Sequence, residues 1–243
     1  MTGSPEDFSS VRWLFIDIGG PIINDDRAVL CVFDKLKEIL VGRGATFTDS
    51  DYAAAQVAVL RSFAVSITSS MLQCLTGTTE GEAEIRAELA RELSRIGYDA
   101  FKALNPLRRR VKETLEALSK RYRLATLSNN TSRIREVLRD YRVDKYFSVI
   151  GISESVGYAK PDPRFFQYVL DEARCRSDEV MMVGDRLDID IVPARAFGMS
   201  TAWVRTGLFG TEGPEPASDI ETPDLAVASL AQLADILLGD DQE

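Results

Sequence analysis

Histidine is absent from all 243 residues. That excludes Ser-His-Asp and Cys-His catalysis, imidazole acid–base chemistry and His-ligated zinc. Cysteine is scarce: Cys31, Cys74 and Cys175 are far apart and odd in number. They give no CxxC pair and no disulfide framework, which fits a reducing cytosol. No apolar run approaches the ~20 residues that a membrane span needs. The first residues, MTGSPEDFSS, carry acids and lack the basic and apolar regions of a signal peptide. A cytoplasmic protein without a membrane partner is expected. Positive charge is also in deficit, with 29 Lys+Arg against 38 Asp+Glu and a formal charge of −9. Such a field repels phosphate backbones, so no nucleic-acid partner is expected, and a phosphorylated substrate would need a local cluster of cations.

What is present reads as an α/β protein. VRWLFIDI (11–18) is too continuously apolar for a half-exposed strand and predicts a central strand of a parallel sheet. Strands are predicted at RLATLS (123–128), FSVIGI (147–152), EVMMVGD (179–185) and STAWV (200–204). Helices are predicted over 107–122, 131–141, 162–174 and 188–198. This alternation implies right-handed crossovers and a Rossmann-like, doubly wound parallel sheet. Between the first strand and Asn105-Pro106 the pattern is helical, over 27–40, after the cap signal TDSD (48–51), and over 81–97. The expected organisation is an α/β core from 11–24 and 106–243, an inserted α-helical cap over 25–105, and a flexible tail at 1–10. The run GTEGPEPASDIETP (210–223) predicts an exposed loop before the last helix.

In a doubly wound sheet, ligands bind at the carboxyl ends of the strands. Asp17, Ser128 and Asp185 close three of the predicted strands, and Lys160 lies in the loop GYAKPDP (157–163). Singly, all but Asp185 in its Gly-Asp turn have a plainer explanation. A strand-end Asp forms turns, Ser128-Asn129-Asn130 caps a helix, and Lys160 is a solvated loop lysine. Asp188 and Asp190 suit an acidic helix start. Jointly, in this order and at these strand ends, the plainer explanations would need a coincidence, and a site is expected.

At these residues the chain resembles the haloacid dehalogenase superfamily, in its phosphatase-rich branch with a helical cap after the first strand. The resemblance rests on FIDIGG (15–20), LATLSNN (124–130), SESVGYAKPDPRFF (153–166) and VGDRLDIDIVPARAFGM (183–199). It implies that Asp17 is a nucleophile forming an aspartyl-phosphate. It implies Mg²⁺ held by Asp17, the Gly19 backbone carbonyl and Asp185, with Asp190 ligating directly or through water, or orienting Lys160. Ser128 and Lys160 would hold the phosphoryl group with help from Asn129, and Asp188 is the weaker acid. The substrate would be a small phosphorylated metabolite, and the protein a monomer or homodimer.

One motif departs from the pattern. The family's phosphatases usually carry a second Asp two residues after the nucleophile, as general acid and base. Here that position is Gly19, and Pro21 follows where Thr is usual. An atypical hydrolase is therefore expected, short of acid–base help worth roughly 10²–10⁴-fold. Either its leaving group is good, or Asp25 or Asp26 substitutes. The alternatives are a non-catalytic or regulatory relative that binds a phosphorylated ligand or partner, and, ranked low, a 2-haloacid dehalogenase. Within the cap, RSFAVSITSSMLQCL (61–75) is a candidate cleft lining and Arg61 a conceivable substrate clamp.

Overall fold

The computed structural model describes residues 8–62 and 66–239. Most of the expected tail, and residues 63–65 of the cap stretch, lie outside them. In chain order the elements are β1 (Trp13–Ile16), α1 (Asp26–Gly42), α2 (Asp49–Leu60), α3 (Ile67–Thr76), α4 (Glu82–Ser94), α5 (Tyr98–Leu104) and α6 (Val111–Leu118). Then come β2 (Arg123–Ser128), α7 (Ile134–Asp140), β3 (Phe147–Ile152), α8 (Ser153–Val156), α9 (Pro163–Ala173) and β4 (Val180–Gly184). The chain ends with α10 (Val192–Ala196), β5 (Ser200–Val204), α11 (Gly207–Glu212), β6 (Leu225–Val227) and α12 (Leu230–Leu238). No described helix is long and apolar enough to cross a membrane.

The strands form one parallel sheet in the order β3-β2-β1-β4-β5-β6. The unbroken apolar run of β1 is explained by cover on both faces, since side chains alternate along a strand. Leu14 and Ile16 join Met181, Val183, Leu115 and Leu233 in one layer. Trp13 and Phe15 join Met182, Phe165, Phe166 and Val169 in the other. Ile16 is in register with Thr126 of β2 and Val183 of β4. Asp17, Ser128 and Asp185 therefore emerge at the same sheet edge, where the strand order reverses around β1.

The helices between β1 and β2 have their own core, built from Phe33, Leu36, Leu40, Val59, Met71 and Leu89 among others. Thr48 caps α2 as TDSD predicts: its hydroxyl accepts the Asp51 amide at 3.1 Å and the Asp51 carboxylate accepts the Thr48 amide at 2.9 Å.

The differences from expectation are local. The helix expected over 107–122 starts only at Val111, because Arg110 takes a left-handed φ of 62°. The helix expected over 188–198 opens with a wide π-helical turn, Leu187–Ile191, before α10. Of the run expected to be an exposed loop, residues 210–212 belong to α11, whose Leu208 and Phe209 pack against the helical core, while 213–223 are irregular and largely exposed and lead into β6. Apolar docking outweighs the glycines of that segment.

Candidate active site

The site is built outward from the end of β1. The Asp17 amide donates to the Val183 carbonyl at 2.8 Å, which extends the sheet pairing one residue past the strand and fixes the side chain. Asp17 Oδ1 accepts the Ile18 amide at 2.7 Å, and Oδ2 lies 3.0 Å from Lys160 Nζ. Lys160 also donates to Asp190 Oδ1 at 2.6 Å, and its side chain is fully buried. Burial opposes the ammonium, but the charges of Asp17 and Asp190 outweigh it and hold its pKa above the usual lysine value. Asp190 is itself fully buried. Burial raises its pKa to about 6, against the stabilising charge of Lys160.

Asp185 follows β4 directly, and the Trp203 indole anchors its backbone carbonyl at 2.9 Å. Burial, then the charges of Asp25, Asp17 and Asp190, drive its carboxyl pKa well upward. One carboxylate oxygen from each of Asp17, Asp185 and Asp190 lies within 4.8 Å of the others. Three buried acids thus cluster beside one lysine, which pairs with two of them, Asp17 and Asp190. Hard oxygen donors with excess negative charge fit a divalent metal ion.

Glycines make room for these acids. A Cβ on Gly184 would run into the Asp190 carboxylate. At Gly20, where φ is +75°, a Cβ would lie 2.5 Å from Asp185 Oδ2. At Gly19 a Cβ would lie 2.5 Å from Asp25 Oδ2, so the Asp25 carboxylate already fills the space a side chain at 19 would take.

The two candidate acids after β1 separate clearly. Asp25 lines the cleft and accepts the Gly20 amide at 3.0 Å. Burial, aided by the charge of Asp17, lifts its pKa to about 6, despite the Gly20 hydrogen bond. Asp26 instead accepts the Leu208 amide at 2.8 Å, tying α1 to the start of α11.

Ser128 is buried at the end of β2 and lines the 340 Å³ cleft with Asp17, Gly19 and Asp185. Asn129 also lines it, but its side chain spans Lys160: its amide nitrogen donates to the Lys160 carbonyl at 2.8 Å and its oxygen accepts the Lys160 amide at 2.7 Å. Asp188 is paired with Arg186. Arg61 is exposed and 3.5 Å from Glu212, away from the cleft lining.

Several lining residues were not singled out in the sequence. Arg186 lies 4.7 Å over the Phe209 ring, and its place directly after Gly184-Asp185 was the available signal. Arg86 comes from α4, whereas Ser66, Ile67 and Thr68 bring part of the expected stretch 61–75 to the cleft wall. Arg86 is one of several arginines in its helix, and no pattern distinguishes it.

A family model for a haloacid dehalogenase-like hydrolase matches residues 11–198. A phosphoserine phosphatase of Thermus thermophilus is 36% identical over 118 residues, 48% of this chain and 47% of that protein, so this match spans about half of the relative. A phosphoglycolate phosphatase of Vibrio vulnificus is 32% identical over 177 residues, covering 72% of this chain and 75% of the relative. Among solved structures, a haloacid dehalogenase-like hydrolase of Streptococcus pneumoniae superposes with a TM-score of 0.73 at 16% identity, over 94% of this chain and 99% of that one.

The expectation of an atypical hydrolase, defined by Gly19, is corrected. The catalytic aspartate is present as Asp17 within the metal-fitting triad, and no glycine replaces it. Nor does Gly19 leave the cleft without a further acid, because Asp25 stands in the adjoining volume.

Proposed function

Because the chain belongs to the haloacid dehalogenase-like hydrolase family, we propose that it hydrolyses a small phosphorylated metabolite with Asp17 as the nucleophile and Mg²⁺ as the cation. The observation that carries this reading is the convergence of Asp17, Asp185 and Asp190 oxygens within 4.8 Å, with Lys160 3.0 Å from Asp17. The relatives named as phosphoserine and phosphoglycolate phosphatases support a small phosphorylated substrate.

Asp17, the Gly19 carbonyl, Asp185 and, directly or through water, Asp190 would hold the ion. When bound, it offsets the negative charge that otherwise keeps a carboxylate from a phosphate. Asp17 attacks phosphorus, its P–O bond forms as the ester P–O bond breaks, and water later cleaves the aspartyl-phosphate. The Ser128 hydroxyl donates to a phosphoryl oxygen and the Lys160 ammonium balances its charge. Asn129 acts on Lys160, holding its backbone from both sides. Asp25 gives its proton to the leaving oxygen and then takes one from the attacking water. A group titrating at about 6 is partly protonated near neutrality, as both halves of that task require. The helical segment 25–105 serves as a cap over the core formed by 11–24 and 106–243, and it excludes water from the cleft.

A panel of phosphate monoesters and acyl phosphates tests the reading, with phosphate release followed with and without Mg²⁺. Release that requires Mg²⁺ and disappears in Asp17→Asn is expected. Silence across the panel in the wild type overturns it.

A further inference from the structure

A second cavity opens beside the catalytic cleft. It measures 560 Å³ against 340 Å³, and Asp25, Val29, Ile67, Asn129 and Asn130 line both. Beyond that shared wall its apolar boundary comes from Val32 of α1, Leu93 of α4, Ile96 after it, and Phe101 and Leu104 of α5. These side chains are only half-buried, although neighbours on α1 and α4 such as Phe33, Leu36 and Leu89 are fully in the helical core. The cap therefore leaves a second apolar surface uncovered, and that surface adjoins the catalytic cleft across the residues lining both.

Most polar residues around the cavity make at least one hydrogen bond within the protein. Both groups of the Asn129 amide are bonded to Lys160. The Asn105 amide donates to the Phe101 carbonyl at 2.8 Å, and the Ser94 hydroxyl to the Arg91 carbonyl at 2.7 Å. Arg133 donates to the Ile96 carbonyl at 2.7 Å while stacking 4.5 Å over the Phe101 ring. Glu154 accepts the Ser132 amide at 2.7 Å, and Asn130 Oδ1 the Thr131 amide at 2.9 Å. These bonds brace a wall that is mainly apolar. A hydroxyl moved here from water loses hydrogen bonds, whereas an apolar group gains from leaving water.

Resting on the phosphate-hydrolase reading above, we infer that this cavity takes the apolar organic part of the substrate. Preferred substrates are then phosphate monoesters of apolar alcohols, alkyl or aryl, and not of sugars, nucleosides or polyols. A volume of this size is in the range of small-molecule sites.

The test compares kcat/KM for ethyl, butyl, hexyl and octyl phosphate with that for glycerol 3-phosphate and glucose 6-phosphate, using acetyl phosphate as the reference for chemistry. Binding of ethyl-, hexyl- and 3-hydroxypropylphosphonate is measured in parallel by calorimetry with Mg²⁺. A rise of about fourfold for each buried methylene is expected until the cavity is full. In Ala90→Phe, which adds a ring to the cavity lining, the hexyl-to-ethyl ratio should fall at least tenfold. Phosphate release that is flat with chain length, or fastest on the polyol esters, overturns the inference and leaves the hydrolase reading intact. If no ester nor acetyl phosphate is turned over, the hydrolase reading fails. Phosphonate affinity then decides the cavity alone, and affinity that does not rise with chain length overturns that assignment too.

Discussion

Lys160 is shared by two acids that approach from opposite ends of the chain: it lies 2.6 Å from Asp190 and 3.0 Å from Asp17, with its side chain closed to solvent. Removing the ammonium leaves those carboxylates and Asp185 buried together without a cation. Breaking a buried ion pair from one side costs about 3–5 kcal/mol. Lys160→Met should lose stability of that order in urea unfolding, and Mg²⁺ should restore part of it by supplying positive charge to the same acids. Wild-type stability without metal would show that the cluster is not electrostatically strained.

Asp25 and Asp26 are adjacent but do different work. Asp25 faces the cleft beside Gly19, and Asp26 holds the Leu208 amide. Asp25→Asn should slow hydrolysis of an alkyl phosphate by about 10²–10⁴-fold, since an alkoxide leaves poorly without a proton. The loss on acetyl phosphate should be much smaller, because its leaving group needs little protonation. Asp26→Asn should keep that ratio between the two substrates and lower the melting temperature by loosening α11. An equal loss on both substrates in Asp25→Asn would remove its assignment as the acid.

Fold and site differed in how far the sequence disclosed them. RLATLS, FSVIGI and STAWV coincide with β2, β3 and β5 because short, apolar-rich runs between helical patterns suit the strands of a covered parallel sheet. Asp17, Ser128, Lys160 and Asp185 stood out because strand ends and the loop before α9 are where such a sheet delivers side chains. The division of labour between Asp25 and Asp26 was invisible, since it depends on which carboxylate the first turn of α1 aims at Gly19 and which at Leu208. α3 and α5 were also missed: at ten and seven residues they are too short to repeat an apolar stripe convincingly. Arg86 enters the cleft only through the packing of α4, and tertiary placement of that kind leaves no local trace.

The carboxylates also set a pH dependence for the metal-free protein. The Asp25 carboxyl is raised from 3.8 to about 6, and Asp185 and Asp190 are displaced in the same direction, with burial first among the causes. Between the unfolded and folded pKa the unfolded chain has released protons that the folded chain retains. Stability therefore falls as pH rises through that window. For one carboxyl, a shift of about two units corresponds to roughly 3 kcal/mol, or a drop on the order of 5 °C or more in a domain of this size. Thermal melts of the metal-free protein should decline from about pH 4.5 to 7. Saturating Mg²⁺ should flatten the decline, because the ion binds the ionised acids. A pH slope unaffected by Mg²⁺ would argue that the ion binds elsewhere.

Gly184→Ala probes the spacing of the same cluster without changing a charge. The new Cβ would overlap the Asp190 carboxylate, whose own Cβ lies 2.5 Å away, so a flexible side-chain tip cannot simply swing aside. Asp190 must shift, and with it the 2.6 Å contact to Lys160. Overpacking at such a site costs about 1–3 kcal/mol. Mg²⁺ affinity should fall alongside stability, because the displaced acid is part of the triad. Gly97→Ala is the matched control: its φ is −60° and nothing lies within 4 Å of the added atom. It should change stability by no more than about 0.5 kcal/mol and leave Mg²⁺ binding as it was. If the two variants bound Mg²⁺ equally well in calorimetry, the close approach of Asp190 to Gly184 would have no part in holding the ion.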